Sequence, residues 1–311
     1  MTEAMIETGQ LNKSYGGKRG IVDVSLRVEP GDVFGFLGPN GAGKTTTIRI
    51  LMALLRADSG SARIDGLDCW SDSVAIKRVI GYMPAEPALD GNLTGGQLLE
   101  YLGHLRGGVD QAYLRQLVDR FELDPTRKFR QYSSGNKRKV VLIQAFMHRP
   151  RVLILDEPTS GLDPLNQQEF RRLVVEARQG GATAFVSSHV LSEVEEMCTR
   201  VGIIRDGRVV RIGGIHDVKD IKRSELTILF ASTVPLDVFT TLPDVETAES
   251  TAGGQGVHLT VKGPPDAAIK AAARYDIVSV TSHEPSLEDI FLRYYGGVAD
   301  AAADGASEQV A

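Results

Sequence analysis

The stretch "GPNGAGKTTT" starts at Gly38 and sets Gly38, Gly43, Lys44 and Thr45 in the four fixed places of G-x-x-x-x-G-K-T. Glycines let consecutive backbone N–H groups point into one concavity, which suits a phosphate. Lys44 adds a full positive charge for terminal phosphates, and the Thr45 hydroxyl can take Mg²⁺. The apolar run "VFGFL" precedes the loop and "KTTTIRILMALLR" follows it. A strand before and a helix after is the context such a loop needs. The helix start contributes unpaired N–H donors and a positive dipole end. Without that context the same letters would be a glycine-rich turn with a chance lysine.

Further candidates lie downstream. In "RVLILDEPTSGLDP", Val152 to Leu155 fit a buried strand, and Asp156 ends it, where parallel sheets bind their ligands. An acid there can hold Mg²⁺, directly or through its water. Glu157 lies one residue beyond and can polarise a water that attacks a γ-phosphate. An isolated acidic pair would only cap a loop. After a buried strand, roughly 110 residues beyond a phosphate loop, the chemical reading is the stronger. His189, in "SSHVL", closes the next expected strand and can donate a hydrogen bond to the same phosphate. His104, His148, His216, His258 and His283 show no interpretable spacing. In "YSSGNKRKVVLIQAF" a serine-glycine turn opens a long helix, which is either a second anion site or an N-cap alone. Lys137, Arg138 and Lys139 read as a solvated face. One nucleotide loop gives a second anion site no use, unless that site serves another copy of the chain.

The elements that must position these residues follow from pattern. "AMIETGQLNKSY" and "IVDVSLRV" read as strands, "EPGD" as a turn, and "SGSARIDGLD" as turn and strand. From Asn92 to Arg149 the period is helical, with Leu98, Tyr101, Leu102 and Leu105 as an apolar stripe. From Arg151 strands and helices alternate, which predicts a parallel sheet covered by helices. The expected fold class is α/β, with an ATPase domain over residues 1–215 and a helical subdomain at about 92–149. Beyond residue 222 the order is β-α-β-β-α-β plus one helix, "SLEDIFLRYY", predicting a small ferredoxin-like α+β domain over 222–296. Ser286 would cap that last helix, and Leu287, Ile290, Phe291 and Tyr294 would form its core stripe. Residues 297–311 are small and partly acidic and are expected to be a disordered tail.

Composition bounds the function. The 311 residues are 42% hydrophobic and 24% charged, ordinary for a globular protein. A net charge of −5 offers no global basic field, so no nucleic acid is expected as a partner. Cys69 and Cys198 read as free thiols of a reducing compartment. The first residues lack an apolar signal core, and no run approaches the ~20 apolar residues of a membrane helix.

With these motifs in order, the chain resembles the ATP-binding subunits of ABC transporters, and within them the bacterial branch that drives multidrug and antibiotic exporters. "GPNGAGKTT" matches that family's Walker A, "VLILDE" its Walker B, "SGLDP" its D-loop and "SSHV" its switch histidine. "YSSGNK" stands where the signature "LSGGQ" belongs, and "EPSLEDIFLRYY" matches a C-terminal extension. The resemblance implies ATP and Mg²⁺ as cofactors, with Thr45 and Asp156 on the metal and Glu157 and His189 in catalysis. Nucleotide contacts would come from Tyr15 on adenine and from Gly38, Pro39, Asn40, Gly41, Ala42, Gly43, Lys44, Thr45 and Thr46. Two such subunits pair head to tail, so Ser133, Ser134, Gly135 and Asn136 would face the ATP of the other copy. An integral-membrane permease would be the driven partner, with this subunit peripheral on the cytoplasmic face of the membrane. Two departures stand out. Ser134 and Asn136 replace a glycine and a glutamine of the signature. Ala85, in "GYMPAEP", stands where the family carries the Q-loop glutamine, and Glu86 beside it is the nearest carboxylate. Competing readings are a soluble ABC ATPase acting on nucleic acid or ribosomes, and an ATP-binding regulator. A single set of motifs without a heptad run disfavours the first, and intact Lys44, Asp156, Glu157 and His189 disfavour the second. The motifs face phosphate and partner protein, so they do not specify the transported compound or its direction.

Overall fold

Apolar-polar alternation at the N-terminus produces β1 (Ile6–Tyr15) and β2 (Lys18–Val28), which pair antiparallel. The computed structural model describes residues 3–16, 18–215 and 223–283. The helix expected in "SLEDIFLRYY" and the tail expected at 297–311 lie outside the described residues. The chain divides into two units, Met1–Gly214 and Ile215–Ala311.

In the first unit β3 (Val33–Leu37) is buried at every position, as its unbroken apolar run requires of a strand covered on both faces. The chain continues through α1 (Lys44–Leu51), β4 (Ser59–Ile64), β5 (Leu67–Asp68), α2 (Ser73–Val79) and β6 (Ile80–Met83). Three helices follow: α3 (Gly95–Leu105), α4 (Gln111–Arg120) and α5 (Ser134–Phe146). Strand and helix then alternate as β7 (Val152–Asp156), α6 (Pro164–Gln179), β8 (Thr183–Ser188), α7 (Leu191–Met197), β9 (Arg200–Arg205) and β10 (Arg208–Gly214). One sheet is antiparallel, in the order β2-β1-β4-β5. The other has the order β10-β9-β3-β8-β7-β6 and is parallel except for β10. Phe185 of β8 stacks on Phe34 of β3 at 5.6 Å, which seals the sheet face at its centre. The C-terminal ends of β3, β8 and β7 lie side by side, with Leu37 paired to Ser188 and Asp156 to Ser187. That edge is where open parallel sheets receive ligands.

One local expectation is corrected, and one segment that carried no expected element is filled in. The buried face of α3 carries Gly95, Leu98, Leu99 and Gly103, whereas Tyr101 and Leu105 are exposed. Leu99 sits beside Leu98 on the core side, so the face is rotated by about one residue from the expected stripe. A capping box between Thr94 and Gln97 fixes where the helix starts. The second point is "SVAIKRVIGYM", which yields α2 and β6 with no turn residue between Val79 and Ile80. Its helix and strand are too short for either period to show. Arg120 of α4 forks onto Glu176 at 2.6 and 2.8 Å and also donates to Glu169, both on α6. It thereby ties the helical segment to the sheet layer. Cys69 and Cys198 are free and buried, and burial pushes the Cys69 thiol up to about 12 and raises Cys198 further. Among the described residues no helix is long and apolar enough to cross a membrane.

The second unit runs β11 (Arg223–Phe230), α8 (Asp237–Thr240), β12 (Val245–Thr251), β13 (Gly256–Lys262), α9 (Asp266–Ala272) and β14 (Ile277–His283). Its sheet, β12-β13-β11-β14, is antiparallel throughout, the ferredoxin-like arrangement. Leu226, Ile228, Phe239, Leu259 and Ala272 form a core of its own. Residues 215–311 expressed alone are therefore expected to melt cooperatively, with an amide spectrum unmoved by MgATP. Phe239→Ala in that fragment should cost about 3–5 kcal/mol in a thermal or urea titration. A non-cooperative melt of the parent fragment would show that the unit needs its neighbour.

Candidate functional site

The loop between β3 and α1 forms one wall of a cleft of about 460 Å³. Pro39, Asn40, Gly41, Gly43, Lys44, Thr45 and Thr46 line it, with Tyr15, Gly20, Ala85 and Glu157 opposite and beside them. Gly43 has φ 112°, and a Cβ there would stand 2.6 Å from the Ile21 side chain, so only glycine fits the turn into α1. Gly38 and Ala42 are buried beneath the lining. No acid sits in the first turn of α1, so its N–H donors face the cleft uncompensated. The Tyr15 ring is exposed at the rim, its hydroxyl 3.4 Å from Thr46 Oγ1, as a platform for a flat base requires.

Lys44 is 5% exposed. Its Nζ donates to Gly38 O at 2.5 Å and to Pro39 O at 3.3 Å. It also stands 3.1 Å from Glu157 Oε1, an ion pair outside hydrogen-bond alignment. The other Glu157 oxygen, Oε2, lies 2.7 Å from His189 Nδ1. Strand pairing of β7 with β8 brings these two residues together from 32 positions apart. Glu157 itself has φ 49°, left-handed for a residue with a side chain. Its N–H donates to Ser187 O at 3.2 Å and to Ser187 Oγ at 3.1 Å.

Asp156, 1% exposed, accepts from Ser187 Oγ at 2.5 Å through Oδ1, while Oδ2 is buried without a partner. Burial raises its pKa, opposed by the hydroxyls of Ser187 and Thr45 and by Lys44, while Glu157 adds to the rise. An orphaned carboxylate oxygen beside a threonine hydroxyl fits a hard cation with oxygen ligands.

Sequence reasoning therefore places most of its candidates in one cleft. It does not bring Ser133, Ser134, Gly135 and Asn136 there. Ser133 caps α5, accepting from Asn136 N at 3.3 Å, and none of the four lines the cleft. Glu86 is exposed and outside the lining, while Ala85 is within it. One residue of the site was misread. Lys139, expected on a solvated face, is 8% exposed, and Arg138, expected on the same face, is 9% exposed. Its Nη1 donates to Glu157 O at 2.9 Å and its Nη2 to Ala85 O at 2.6 Å. A basic residue one turn inside the α5 start, at a position facing the sheet, is the only signal the sequence held.

Comparison with known proteins settles the family. The family described as "ABC transporter" matches residues 21–160. The "ABC transporter ATP-binding protein YtrB" of Bacillus subtilis (strain 168) is 32% identical over 297 residues, covering 94% of this chain and 99% of the relative. The chain is an ABC transporter ATP-binding protein. The "Bacitracin transport ATP-binding protein BcrA" of Bacillus licheniformis is also 32% identical, over 303 residues, covering 94% of this chain and 98% of that one. Among solved structures, an "ATP binding subunit of ABC transporter" superposes with a TM-score of 0.64 at 29% identity, over 69% of this chain and 92% of that one. As an ABC ATPase the chain binds and hydrolyses ATP.

The raised pKa of Asp156 carries a sign. The folded state disfavours its ionised form, so the cost is absent below the ordinary value of 3.8 and grows as pH rises through the raised value. Asp156→Asn should thus stabilise the protein at neutral pH, and the gain should vanish in acid. The same variant should lose the extra thermal protection that Mg²⁺ adds to ATP. Melts at pH 7 with ATP plus Mg²⁺, and with ATP plus a chelator, check both points. An undiminished Mg²⁺ increment would remove Asp156 from the metal site.

Proposed function

We propose that the cleft between Tyr15 and Glu157 takes MgATP, with the adenine on Tyr15 and the phosphates in the loop from Gly38 to Thr46. The observation that carries this reading is the Glu157 carboxylate held between Lys44 and His189 at the cleft wall. Among the described residues Lys44 meets loop carbonyls and Glu157. Incoming phosphates take over Lys44, which releases Glu157 to orient a water against the γ-phosphate. His189 then holds the other carboxylate oxygen or donates to the phosphate. Thr45 and Asp156 would hold Mg²⁺, which supplies charge neutralisation on the phosphates when bound.

Ser133, Ser134, Gly135 and Asn136 lie outside this cleft, so they are assigned to the ATP of a second subunit in a head-to-tail dimer. Donors left free at a helix start can bind an anion, and the other copy's γ-phosphate would provide one. The dimer then drives a separate membrane permease from the cytoplasmic face. Kinship with a bacitracin transport protein supports export of antibiotics or other lipophilic compounds.

Lys44→Ala should weaken ATP binding by about 1.5–3 kcal/mol, measured by titration calorimetry. Glu157→Gln should keep ATP binding, slow phosphate release ~10²–10⁴-fold and elute as a dimer in MgATP. Retention of the parent rate would mean that another residue positions the water.

The dimer reading is tested by mixing. Gly135→Asp places a charge against the partner's phosphate, and Lys44→Ala empties the chain's own loop. A heterodimer of the two concentrates both lesions in one composite site and leaves the other intact. Each heterodimer in the mixture should trap about one site's worth of ATP, while either variant alone traps little. A Gly135→Asp protein that hydrolyses ATP like the parent would reduce "YSSGNK" to the start of a helix.

A further inference from the structure

Arg138 lies in the second turn of α5, four residues beyond the helix's first residue and five beyond its cap Ser133. It is nearly buried, yet it makes no ion pair among the described contacts with a carboxylate. Both terminal nitrogens end on backbone oxygens instead: Glu157 O at 2.9 Å and Ala85 O at 2.6 Å. These oxygens belong to the chain just after β7 and just after β6, which are neighbouring parallel strands. The contact of β6 with α5 is rigid. A Cβ on Gly81 would come within 2.0 Å of Ala145 O, so strand and helix backbones touch directly. A planar guanidinium suits such a bridge because its donors diverge at fixed angles, and a lysine cannot reproduce them.

The bridged carbonyl is the one that matters for hydrolysis. Glu157 is held at φ 49°, a left-handed conformation that crowds the Cβ of an L-residue. Such a conformation persists only where its surroundings over-determine it. Ser187 holds the N–H side of the residue. Arg138 holds the carbonyl side. Ala85 has no side-chain acceptor to offer at this point, so its peptide oxygen serves as the second anchor.

We propose that Arg138 is a positioning residue for ATP hydrolysis, fixing the left-handed backbone of Glu157 so that its carboxylate meets the attacking water. The assignment rests on Glu157 being the water-orienting base. Arg138 is not itself a lining residue and meets the cleft wall only through the backbone oxygens of Glu157 and Ala85, so its loss acts on turnover and not on nucleotide affinity. A displacement of about 1 Å in a reacting group can cost ~10²-fold in rate.

The experiment compares Arg138→Gln, Arg138→Lys and Arg138→Ala in the full chain, by steady-state phosphate release, ATP calorimetry and thermal melting. Arg138→Gln is expected to lower kcat by about 10- to 100-fold with ATP affinity within about twofold of the parent. Arg138→Lys should recover part of the loss, because one ammonium can reach only one of the two carbonyls. Guanidinium chloride at tens of millimolar should raise kcat of Arg138→Ala, and ammonium chloride at the same ionic strength should not. That ion-specific rescue separates positioning from a general loss of folding. An unchanged kcat in Arg138→Gln overturns the proposal. So does a kcat that falls in step with ATP affinity and melting temperature and is not rescued by guanidinium. Glu157→Gln run alongside separates the two levels. If it is inactive while Arg138→Gln matches the parent, only the Arg138 role fails. If Glu157→Gln matches the parent, the base assignment fails and the Arg138 role falls with it.

Discussion

The arrangement of this cassette depends on one backbone turn, at Glu157. Strand β7 carries Asp156 to the sheet edge, and in a continued strand the next side chain would point to the opposite face. The left-handed conformation of Glu157 breaks that alternation. It sets two consecutive carboxylates beside the same phosphate loop, one near Thr45 and one near Lys44. Through it the Glu157 carboxylate meets both Lys44 of the loop and His189 of the neighbouring strand end.

That turn also solves an electrostatic difficulty. A nearly buried ammonium is expensive to leave unpaired. Lys44 is matched by two loop carbonyls and by Glu157. Asp156 shows the opposite pattern. One of its oxygens is buried without a hydrogen-bond partner.

Much of this was legible in sequence because it is local. The phosphate loop is contiguous, flanked by an unbroken apolar strand and an amphipathic helix, so each level of pattern agreed with the next. Asp156 and Glu157 declared themselves by following another such strand. What escaped was set by tertiary contact. Arg138 sits in a run of three basic residues that looks solvated, and only the packing of α5 on β6 turns it inward. The stripe of α3 was misplaced for a similar reason, since Leu98, Leu99, Tyr101, Leu102 and Leu105 allow two overlapping helical faces and only the neighbours choose between them. The short β6 carried too few residues for any period to show.

The placement of the two cysteines has a practical side. Both thiols are buried, and their raised pKa values keep the nucleophilic thiolate scarce near neutral pH. The chain therefore offers a nearly silent background for maleimide chemistry without any prior cysteine removal. A single cysteine introduced on the exposed side of α3, at Tyr101 or Leu105, would take a spin label or fluorophore selectively. Distances between labels on two copies of the chain would then report subunit approach directly, in a protein whose native sequence is otherwise intact.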